Sequence, residues 1–401
     1  MKQTLEDVHT SELLDTVVLV RADLNVPLEQ GLIADELRIR ESLPTLRHLS
    51  QAGARVVLLT HLGRPRGERD PGLSVEPVAR RLGELLQRSV RFCPASSGDQ
   101  VREALQDLPA GGVLVLENTR FDPREKANDP TVCAQWASLG SLFVNDAFGT
   151  AHRAHASTAG LAEAIRAGGG RAVAGRLLAR EIRMLRSVLD DPTRPFVAIL
   201  GGAKISGKVD VIQALLPRLD RLLVGGAMAN TFFLAMGLEV GASLVEEDRV
   251  AMARATLKQA GDRLLLPVDC VVADRIAEDA TSRVVPRDEV RDGDRVVDIG
   301  PATRRLYAEE LATAGTVLWN GPMGIFEMEP FAEGTRSVAR AAAEACDEGA
   351  TVVVGGGDSS SAAREAGLAD RFTHISTGGG ASLEFLAGTE LPGVVTLSEK
   401  D

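Results

Sequence analysis

Short apolar runs that end in glycine or polar residues recur along the chain and are typical of buried strands. In the first half these runs lie at 16–20, 55–60, 113–116 and 142–145. In the second half they lie at 196–200, 222–224, 295–300, 316–320 and 351–357. Helix-like stretches lie between them, such as the stripe of Leu43, Leu46 and Leu49 that stops at Gly53. The alternation of strand and helix therefore runs twice.

A long amphipathic helix is predicted between the two series. Apolar residues recur at helical spacing from Val173 to Leu189, and Pro192 ends the pattern. Such alternation favours parallel sheets covered by helices on both faces, with ligands at the carboxyl ends of the strands. We therefore predict an α/β protein with two doubly wound, Rossmann-like parallel-sheet domains that face a cleft and are joined by this helix. The predicted bounds are 1–172 for the first domain, 173–190 for the helix and 191–379 for the second domain.

Composition and charge narrow the possible partners. The 401 residues are 44% apolar and 25% charged, which suits a globular protein with a buried core. A net charge of −11 and an aromatic content of 3% disfavour binding to nucleic acid. The N-terminal residues lack the apolar region of a signal peptide. No stretch of consecutive apolar residues is as long as a membrane span, which needs about 18. We expect a cytoplasmic protein without nucleic-acid or membrane partners.

Basic side chains follow four strands of the first half. They are Arg21, His61, Arg64, Arg120, His152, Arg153 and His155, and Arg38 joins them from the loop before the first helix. A single arginine at a strand end usually faces solvent or pairs with a carboxylate, and a lone histidine is more often structural than a ligand. Several guanidinium groups at one sheet edge, however, suit phosphate and carboxylate, which arginine binds through two parallel hydrogen bonds. The first half is therefore predicted to bind an anion.

A glycine turn with two lysines follows the run at 196–200. The order of strand, glycine turn and helix presents backbone N–H groups to phosphate. If the helix begins near Ala203, Lys204 and Lys208 share a face in its first turns, where a cation is unfavourable unless an anion offsets it. Two solvated surface lysines are the alternative. The segment also resembles a P-loop, but Val209 stands where a P-loop needs a hydroxyl, which disfavours a P-loop phosphotransferase.

Three successive glycines and an aspartate follow the run at 351–357. Gly355, Gly356 and Gly357 allow close approach of the backbone, and Asp358 precedes a helix of small residues. Asp358 could simply cap that helix, or it could hold a Mg²⁺ ion that bridges phosphate oxygens. The lysines at the neighbouring strand end favour the magnesium interpretation.

Eight motifs in order carry a resemblance over the whole chain. They are RADLNVP, HLGRP, ENTRF, GTAHRAHAS, GGAKISGK, NGPMGIFE, GGGDS and STGGGASLEFL. On these motifs the chain resembles the phosphoglycerate kinase family. The resemblance implies reversible, Mg²⁺-dependent phosphoryl transfer between 1,3-bisphosphoglycerate and ADP, giving 3-phosphoglycerate and ATP in glycolysis. It also implies a monomer, and a segment 380–401 that returns to the first domain.

The resemblance also assigns site residues. For the phosphoglycerate it implies Arg21, Ala22, Asp23, Asn25, Arg38, His61, Leu62, Gly63, Arg64, Arg120, His152 and Arg153. For the nucleotide it implies Gly202, Lys204, Lys208, Gly300, Asn320, Glu327, Gly355, Gly356, Gly357, Asp358 and Ser359. Within these sets, Arg38 and Lys204 stabilise the transferring phosphoryl group, Asp358 helps to hold Mg²⁺, and Glu327 reaches the ribose.

The chemistry requires no general base. The nucleophile is a carboxylate that is already ionised at neutral pH, so catalysis reduces to positioning and charge neutralisation, with closure of the two domains to exclude water. A catalytically silent binder of the same fold is the alternative. Two departures from the family pattern are Gly207, which predicts a looser turn before Lys208, and the hydroxyls of Ser360 and Ser361, which could cap a helix or touch phosphate.

Overall fold

A computed structural model describes residues 1–400 of the chain. These residues form two compact units. The first unit comprises Met1–Arg183 and the chain from Glu390 onward, and the second comprises Met184–Thr389. Within residues 1–400, no helix is both long and apolar enough to cross a bilayer.

The first unit is built on a six-stranded parallel sheet of order β5-β6-β4-β1-β7-β8. The strands of this sheet are β1 (Val17–Ala22), β4 (Arg55–Leu59), β5 (Val90–Cys93), β6 (Val113–Leu116), β7 (Leu142–Asp146) and β8 (Arg171–Ala174). Two short strands, β2 (Leu28–Glu29) and β3 (Leu32–Ile33), form a separate hairpin. The central strands are fully buried, as at Val18 and Val56, which explains their unbroken apolar runs.

Helices cover this sheet and contribute leucines and valines to one core, among them Leu46 and Leu82. They are α1 (Thr10–Leu13), α2 (Leu37–Gln51), α3 (Glu76–Leu86), α4 (Asp99–Gln106), α5 (Pro123–Lys126), α6 (Pro130–Ala137), α7 (Leu161–Ala167) and α8 (Arg176–Asp190). Arg38 therefore lies in the first turn of α2 and not in the loop before it, which corrects the prediction.

Helix α8 corresponds to the predicted joining helix and begins three residues later than predicted. Residues 171–174 pair with β7 as strand β8 and cannot be helical. The carboxylate of Asp146, at the end of β7, then accepts the N–H groups of Leu177 and Leu178 at 2.8 and 3.1 Å, which caps the helix. The division between the two compact units falls within α8, at Arg183.

The second unit contains a six-stranded parallel sheet of order β11-β10-β9-β15-β16-β17 and a three-stranded antiparallel sheet of order β13-β12-β14. The strands are β9 (Phe196–Leu200), β10 (Arg221–Val224), β11 (Leu264–Leu265), β12 (Asp269–Ala273), β13 (Ser282–Pro286), β14 (Arg295–Ile299), β15 (Thr316–Asn320), β16 (Thr351–Gly355) and β17 (His374–Ile375). The run at 295–300 was expected to continue the parallel series. Instead it pairs antiparallel with β12, Cys270 opposite Ile299, so this expectation was wrong.

The helices of the second unit are α9 (Val209–Leu215), α10 (Met228–Ala235), α11 (Val250–Ala260), α12 (Pro301–Ala312), α13 (Glu333–Asp347), α14 (Gly357–Glu365) and α15 (Gly380–Leu386). Helix α9 begins at Val209, with Lys208 as its N-cap residue, so the expected start near Ala203 was wrong. The preceding residues form a turn in which the Lys208 N–H donates to the carbonyl of Ile205 at 2.8 Å.

The end of the chain returns to the first unit through α16 (Pro392–Val395). Asn145 of β7 donates to the carbonyl of Gly393 at 2.8 Å. The return begins at Glu390, so residues 380–389, including α15, belong to the second unit, whereas the prediction placed them in the returning segment. The predicted fold class, α/β with two parallel sheets, is confirmed.

Candidate active site

The buried guanidinium of Arg21 is the centre of the predicted anion site in the first unit. Arg21 lies within β1, opposite Leu59 and Asn145 on the neighbouring strands, and is only 1% exposed. The sequence had suggested that it lies in the turn after the strand. A buried guanidinium needs hydrogen-bond acceptors for its N–H groups, and residues near the carboxyl end of the sheet supply these acceptors.

Three acceptors hold Arg21. Its Nε donates to Oγ of Ser157 at 2.8 Å, one terminal nitrogen donates to the carbonyl of Ala22, and Nη2 donates to Nδ1 of His61 at 2.9 Å. Ser157 is held in turn by the buried carboxylate of Glu125, which accepts the Ser157 hydroxyl at 2.6 Å and its N–H at 2.9 Å. Arg21 is therefore fixed from both sides, and the sequence analysis did not identify Glu125 or Ser157.

The loops after β1, β4 and β6 are tied together by further predicted residues. Arg38 donates to Oδ2 of Asp23 at 2.7 Å, while Oδ1 of Asp23 is buried without a hydrogen-bond partner. The side-chain oxygen of Asn25 accepts the Gly63 N–H at 2.7 Å, and Arg120 donates to the Gly63 carbonyl at 2.8 Å. Nε of Arg120 has no partner and is buried.

The electrostatics of this cluster are dominated by positive charge. Burial, followed by the charges of Arg21, Arg120 and Arg38, holds the pKa of His61 well below its ordinary value. Burial and then Arg120 and Arg21 lower the pKa of His155 to about 4. Both imidazoles are therefore neutral at physiological pH. Burial and Arg21 also lower the pKa of Arg120 to about 10. Such a preformed excess of cations suits a multiply charged anion.

The remaining predicted residues of the first unit lie on the same loops. Ala22 and Leu62 are buried, and Gly63 has a left-handed φ of 62°, a conformation that glycine adopts readily. Arg64 and Arg153 are exposed, whereas His152 is half-buried. Lys126 was not predicted, yet its charge contributes to the lowered pKa of His155.

A glycine-lined cavity of 280 Å³ lies at the carboxyl ends of β9, β15 and β16 in the second unit. Its walls are Gly201, Gly202, Ala203, Lys208, Asn320, Gly321, Gly356, Gly357, Asp358, Ser359, Gly379, Gly380 and Leu383. Helices α14 and α15 begin at Gly357 and Gly380, so their N-terminal N–H groups lie at this cavity. Helix N-termini of this kind attract phosphate.

Glycine is required where the backbones of this cavity meet. At Gly321, which has a φ of 101°, a Cβ would lie 2.2 Å from the carbonyl oxygen of Gly201. Ser359 fixes the same turn, because its Oγ accepts the N–H of Gly321 at 2.5 Å. Gly355 and Gly356 lie against the side-chain nitrogen of Asn320, where a Cβ would be 3.3 or 3.2 Å from it.

Lys208 is the cation of the glycine-lined cavity. Its ammonium donates to the Asn320 carbonyl at 3.1 Å and to the side-chain oxygen of the same residue. Burial lowers the pKa of Lys208 to about 8, although the negative charge of Asp358 acts to raise it. The side-chain nitrogen of Asn320 is buried without a hydrogen-bond partner. The cavity therefore offers one ammonium and one unpaired amide donor to a ligand.

Asp358 provides a carboxylate at the same cavity. It is exposed and lies in the first turn of α14, whose N-cap residue is Gly356 and which has no side-chain cap. The capping alternative therefore does not apply. Mg²⁺ prefers oxygen ligands and is commonly held by one or two carboxylates and substrate phosphates, so a lone Asp358 beside a phosphate-sized cavity fits this ion. Among residues 1–400 no cluster of three or more histidine, cysteine or carboxylate ligands is found.

An apolar cavity of 590 Å³ adjoins the glycine-lined cavity and shares Gly202, Ala203 and Asp358 with it. Its other walls come from five separate segments and include Phe233, Leu244, Val297, Met323, Ile325 and the predicted residue Glu327. Leu244 and Ile276 at this cavity are 53% and 54% exposed, which is unusual for large apolar side chains. A cavity of this size and lining suits a small organic ligand with an apolar part.

Gly300, Lys204 and Ser360 do not line either of these two cavities. Gly300 lines neither cavity; it is the N-cap residue of α12, and its N–H donates to the Asp269 carbonyl. Lys204 is exposed in the turn before α9, next to Ala203 of both cavity walls. The Ser360 hydroxyl donates to the carbonyl of Gly356 at 2.7 Å, and Ser361 accepts a hydrogen bond from Arg364.

The comparisons with known proteins agree on one family. The sequence profile of the phosphoglycerate kinase family matches residues 6–389. The chain belongs to the phosphoglycerate kinase family. A phosphoglycerate kinase of Rubrobacter xylanophilus is 54% identical over 394 residues, 98% of each chain, and one of Chloroflexus aurantiacus is 52% identical over the full length of both.

Solved structures of phosphoglycerate kinases also match the fold. The enzyme of Coxiella burnetii superimposes with a TM-score of 0.87 at 38% identity, covering 99% of this chain and 98% of the other. The enzyme of Pyrococcus horikoshii gives 0.85 at 33% identity, with 98% of both chains covered. The predicted family is confirmed, and with it the class of enzyme: a kinase that transfers phosphate to a carboxyl group.

Proposed function

We propose that this chain catalyses reversible, Mg²⁺-dependent transfer of a phosphoryl group between 1,3-bisphosphoglycerate and ADP, giving 3-phosphoglycerate and ATP. The observation that carries the proposal is the adjoining pair of cavities in the second unit. A nucleoside in the apolar cavity, near Glu327, has its phosphates directed to the glycine-lined cavity beside Lys208 and Asp358. A phosphate-free ligand would have no use for the second cavity.

The phosphoglycerate is proposed to bind the cationic cluster of the first unit. Its carboxylate and phosphate would be held by Arg38, Arg64, Arg120 and Arg153, whose planar forks suit both groups. Arg21 has three of its five N–H donors committed to Ser157, His61 and the Ala22 carbonyl, which leaves two for the ligand. Neutral His61 would donate a hydrogen bond to the ligand and carry no charge.

The reaction needs no proton acceptor. The attacking group is the carboxylate of 3-phosphoglycerate, or in reverse a phosphate oxygen of ADP, and both are ionised at neutral pH. The work left to the protein is to align the two ligands and to neutralise charge on the transferring group. We assign this neutralisation to Arg38 and Lys204. When Mg²⁺ is bound, Asp358 would hold it, and the ion would neutralise the nucleotide phosphates.

The proposed ligand sites belong to different units, so direct transfer requires closure of the units around the reacting groups. Closure would also exclude water, which would otherwise hydrolyse the acyl phosphate. By its reaction the protein would serve in glycolysis, in the cytoplasm, acting as a monomer on small-molecule substrates.

The experiment that tests this function is a coupled assay. Purified protein is mixed with Mg-ATP and 3-phosphoglycerate, and the 1,3-bisphosphoglycerate formed is followed through NADH oxidation by the dehydrogenase that consumes it. We expect turnover that requires both substrates and magnesium. Folded protein that binds ATP but shows no turnover would instead establish the catalytically silent binder.

A further inference from the structure

The turn between β9 and α9 carries both lysines of the proposed nucleotide site and is held by a carboxylate from elsewhere in the chain. Glu246 accepts the N–H of Ser206 at 3.0 Å with one oxygen and the Ser206 hydroxyl at 2.5 Å with the other. The backbone of Ile205 also helps to lower the pKa of this carboxylate. Both oxygens of Glu246 are therefore committed to the residues between Lys204 and Lys208.

Little else holds the exposed side of this turn. Ile205 is fully buried and anchors its inner side. Ser206 and Gly207 are exposed, and a Cβ added at Gly207 would meet no atom within 4 Å. The absence of a side chain at Gly207 predicts a loose turn, yet the structure compensates for it with the paired hydrogen bonds from Ser206 to Glu246. Hydrogen bonds to a charged acceptor are the stronger kind.

Glu246 is itself fixed to the apolar cavity. Its N–H donates to Oγ1 of Thr231, a buried residue of α10, at 3.2 Å. The neighbouring Asn230 donates to the carbonyl of Leu244 at 3.1 Å. Leu244 and Val245, directly before Glu246, line the apolar cavity. A single short segment therefore forms part of that cavity and, through the Glu246 side chain, restrains the turn with the lysines.

The carboxylate is charged and lies within range of Lys204. Burial raises the pKa of Glu246, but the hydrogen bonds from Ser206 and Ile205 and the charge of Lys204 outweigh it, so the pKa is lower than usual. The negative charge of Glu246 therefore lies close enough to Lys204 to attract its side chain toward the turn.

We propose that Glu246 is a positioning residue for phosphoryl transfer: it fixes the turn of residues 204–208 so that Lys204 faces the transferring phosphoryl group, and it links that turn to the wall of the apolar cavity. The inference rests on the function proposed above. It concerns orientation and not direct contact with substrate.

The test is a double-mutant cycle in the full-length protein, measured as kcat and KM for both substrates. We expect Glu246→Ala to lower kcat by about 10- to 100-fold, the usual cost of losing a supporting hydrogen-bond partner or displacing a catalytic group. KM for 3-phosphoglycerate should stay unchanged, because that ligand binds the first unit. Glu246→Gln, which keeps one acceptor oxygen, should lose less. Glu247→Ala, at the next and exposed residue, is the matched control and should retain full activity.

Combination with Lys204→Ala separates positioning from general stability. If Glu246 acts through Lys204, Glu246→Ala should cause little further loss of kcat once Lys204 is absent. Two results would overturn this inference while leaving the proposed function intact. One is a double variant whose loss of kcat equals the product of the two single losses. The other is a Glu246→Ala variant that is as active as Glu247→Ala. A wild-type protein without turnover would overturn both.

Discussion

Nη2 of Arg21 lies 2.9 Å from Nδ1 of His61. A guanidinium has only donors, so Nδ1 must be the acceptor and the ring proton must reside on Nε2. Because both residues are almost fully buried, the imidazole is also held neutral. Arg21 thus determines which ring nitrogen of His61 carries the proton.

We expect His61 to be neutral with its proton on Nε2 at about pH 6, where an ordinary histidine is largely protonated. The reason is the combined effect of burial and of the charges of Arg21, Arg120 and Arg38. The measurement is the ¹⁵N spectrum of the histidine rings, with His61→Gln to assign the signal. A protonated His61 ring at that pH, or a proton on Nδ1, would contradict the hydrogen bond described here.

Nucleotide affinity should weaken as pH rises through about 8. The pKa of Lys208 in the free protein is about 8, and bound phosphates favour the charged form, so above that pH binding must take up a proton. The loss should approach about tenfold per pH unit, up to the pKa of the complex. Calorimetric titration with ADP between about pH 7 and pH 9 measures it, because the phosphates are already ionised there.

Lys208→Met is the control for this pH dependence. The variant should bind ADP more weakly at about pH 7, and its affinity should be nearly constant over the same range, because the titrating group is gone. An equal slope in the variant and the wild type would assign the titration to another residue.

Asp146→Asn should increase stability at neutral pH. Burial raises the pKa of Asp146 from its ordinary 3.8 to about 6. The unfolded chain therefore loses this proton at lower pH than the folded chain, and stability falls as pH rises between the two values, by about 3 kcal/mol in full. Asparagine keeps an oxygen acceptor for Leu177 and Leu178 but never ionises.

Urea unfolding of both proteins at about pH 5 and pH 7 isolates this effect. The advantage of Asp146→Asn over the wild type should grow by about 1 kcal/mol between these conditions. Asp107→Asn, which alters an exposed carboxylate, is the matched control. An advantage that shrinks with rising pH would mean that the charge of Asp146 stabilises α8 more than burial destabilises it.

Much of the fold could be predicted because buried parallel strands are continuous apolar runs. The runs at 113–116, 196–200 and 316–320 coincide with β6, β9 and β15. The run at 295–300 is also rich in apolar residues, but it pairs antiparallel with β12, and a partner strand cannot be identified from the run itself. Strands of two residues, such as β11 and β17, are too short to show a pattern.

The candidate site was predictable where it rests on strand ends and glycine turns, and less so where it rests on distant contacts. Lys208, Asn320 and Asp358 were predicted and lie at one cavity. Glu125 and Glu246 were not, because each acts on a serine more than thirty residues away in sequence and is one of many acidic residues. Apart from the residues shared with the glycine-lined cavity, the walls of the apolar cavity come from five segments without a shared motif. The individual roles of the site residues stay predictions.

The role proposed for Arg38 and Lys204 is to neutralise the transferring phosphoryl group in a working phosphoglycerate kinase. The most direct measurement is kcat of Arg38→Ala and Lys204→Ala in the coupled assay, with ADP and 3-phosphoglycerate binding measured beside it and Arg40→Ala and Lys258→Ala as exposed controls. We expect each variant to lose at least about 100-fold in kcat while ADP still binds both, and the controls to keep full activity. Undiminished kcat in both variants would show that neither side chain is needed to neutralise the transferring group.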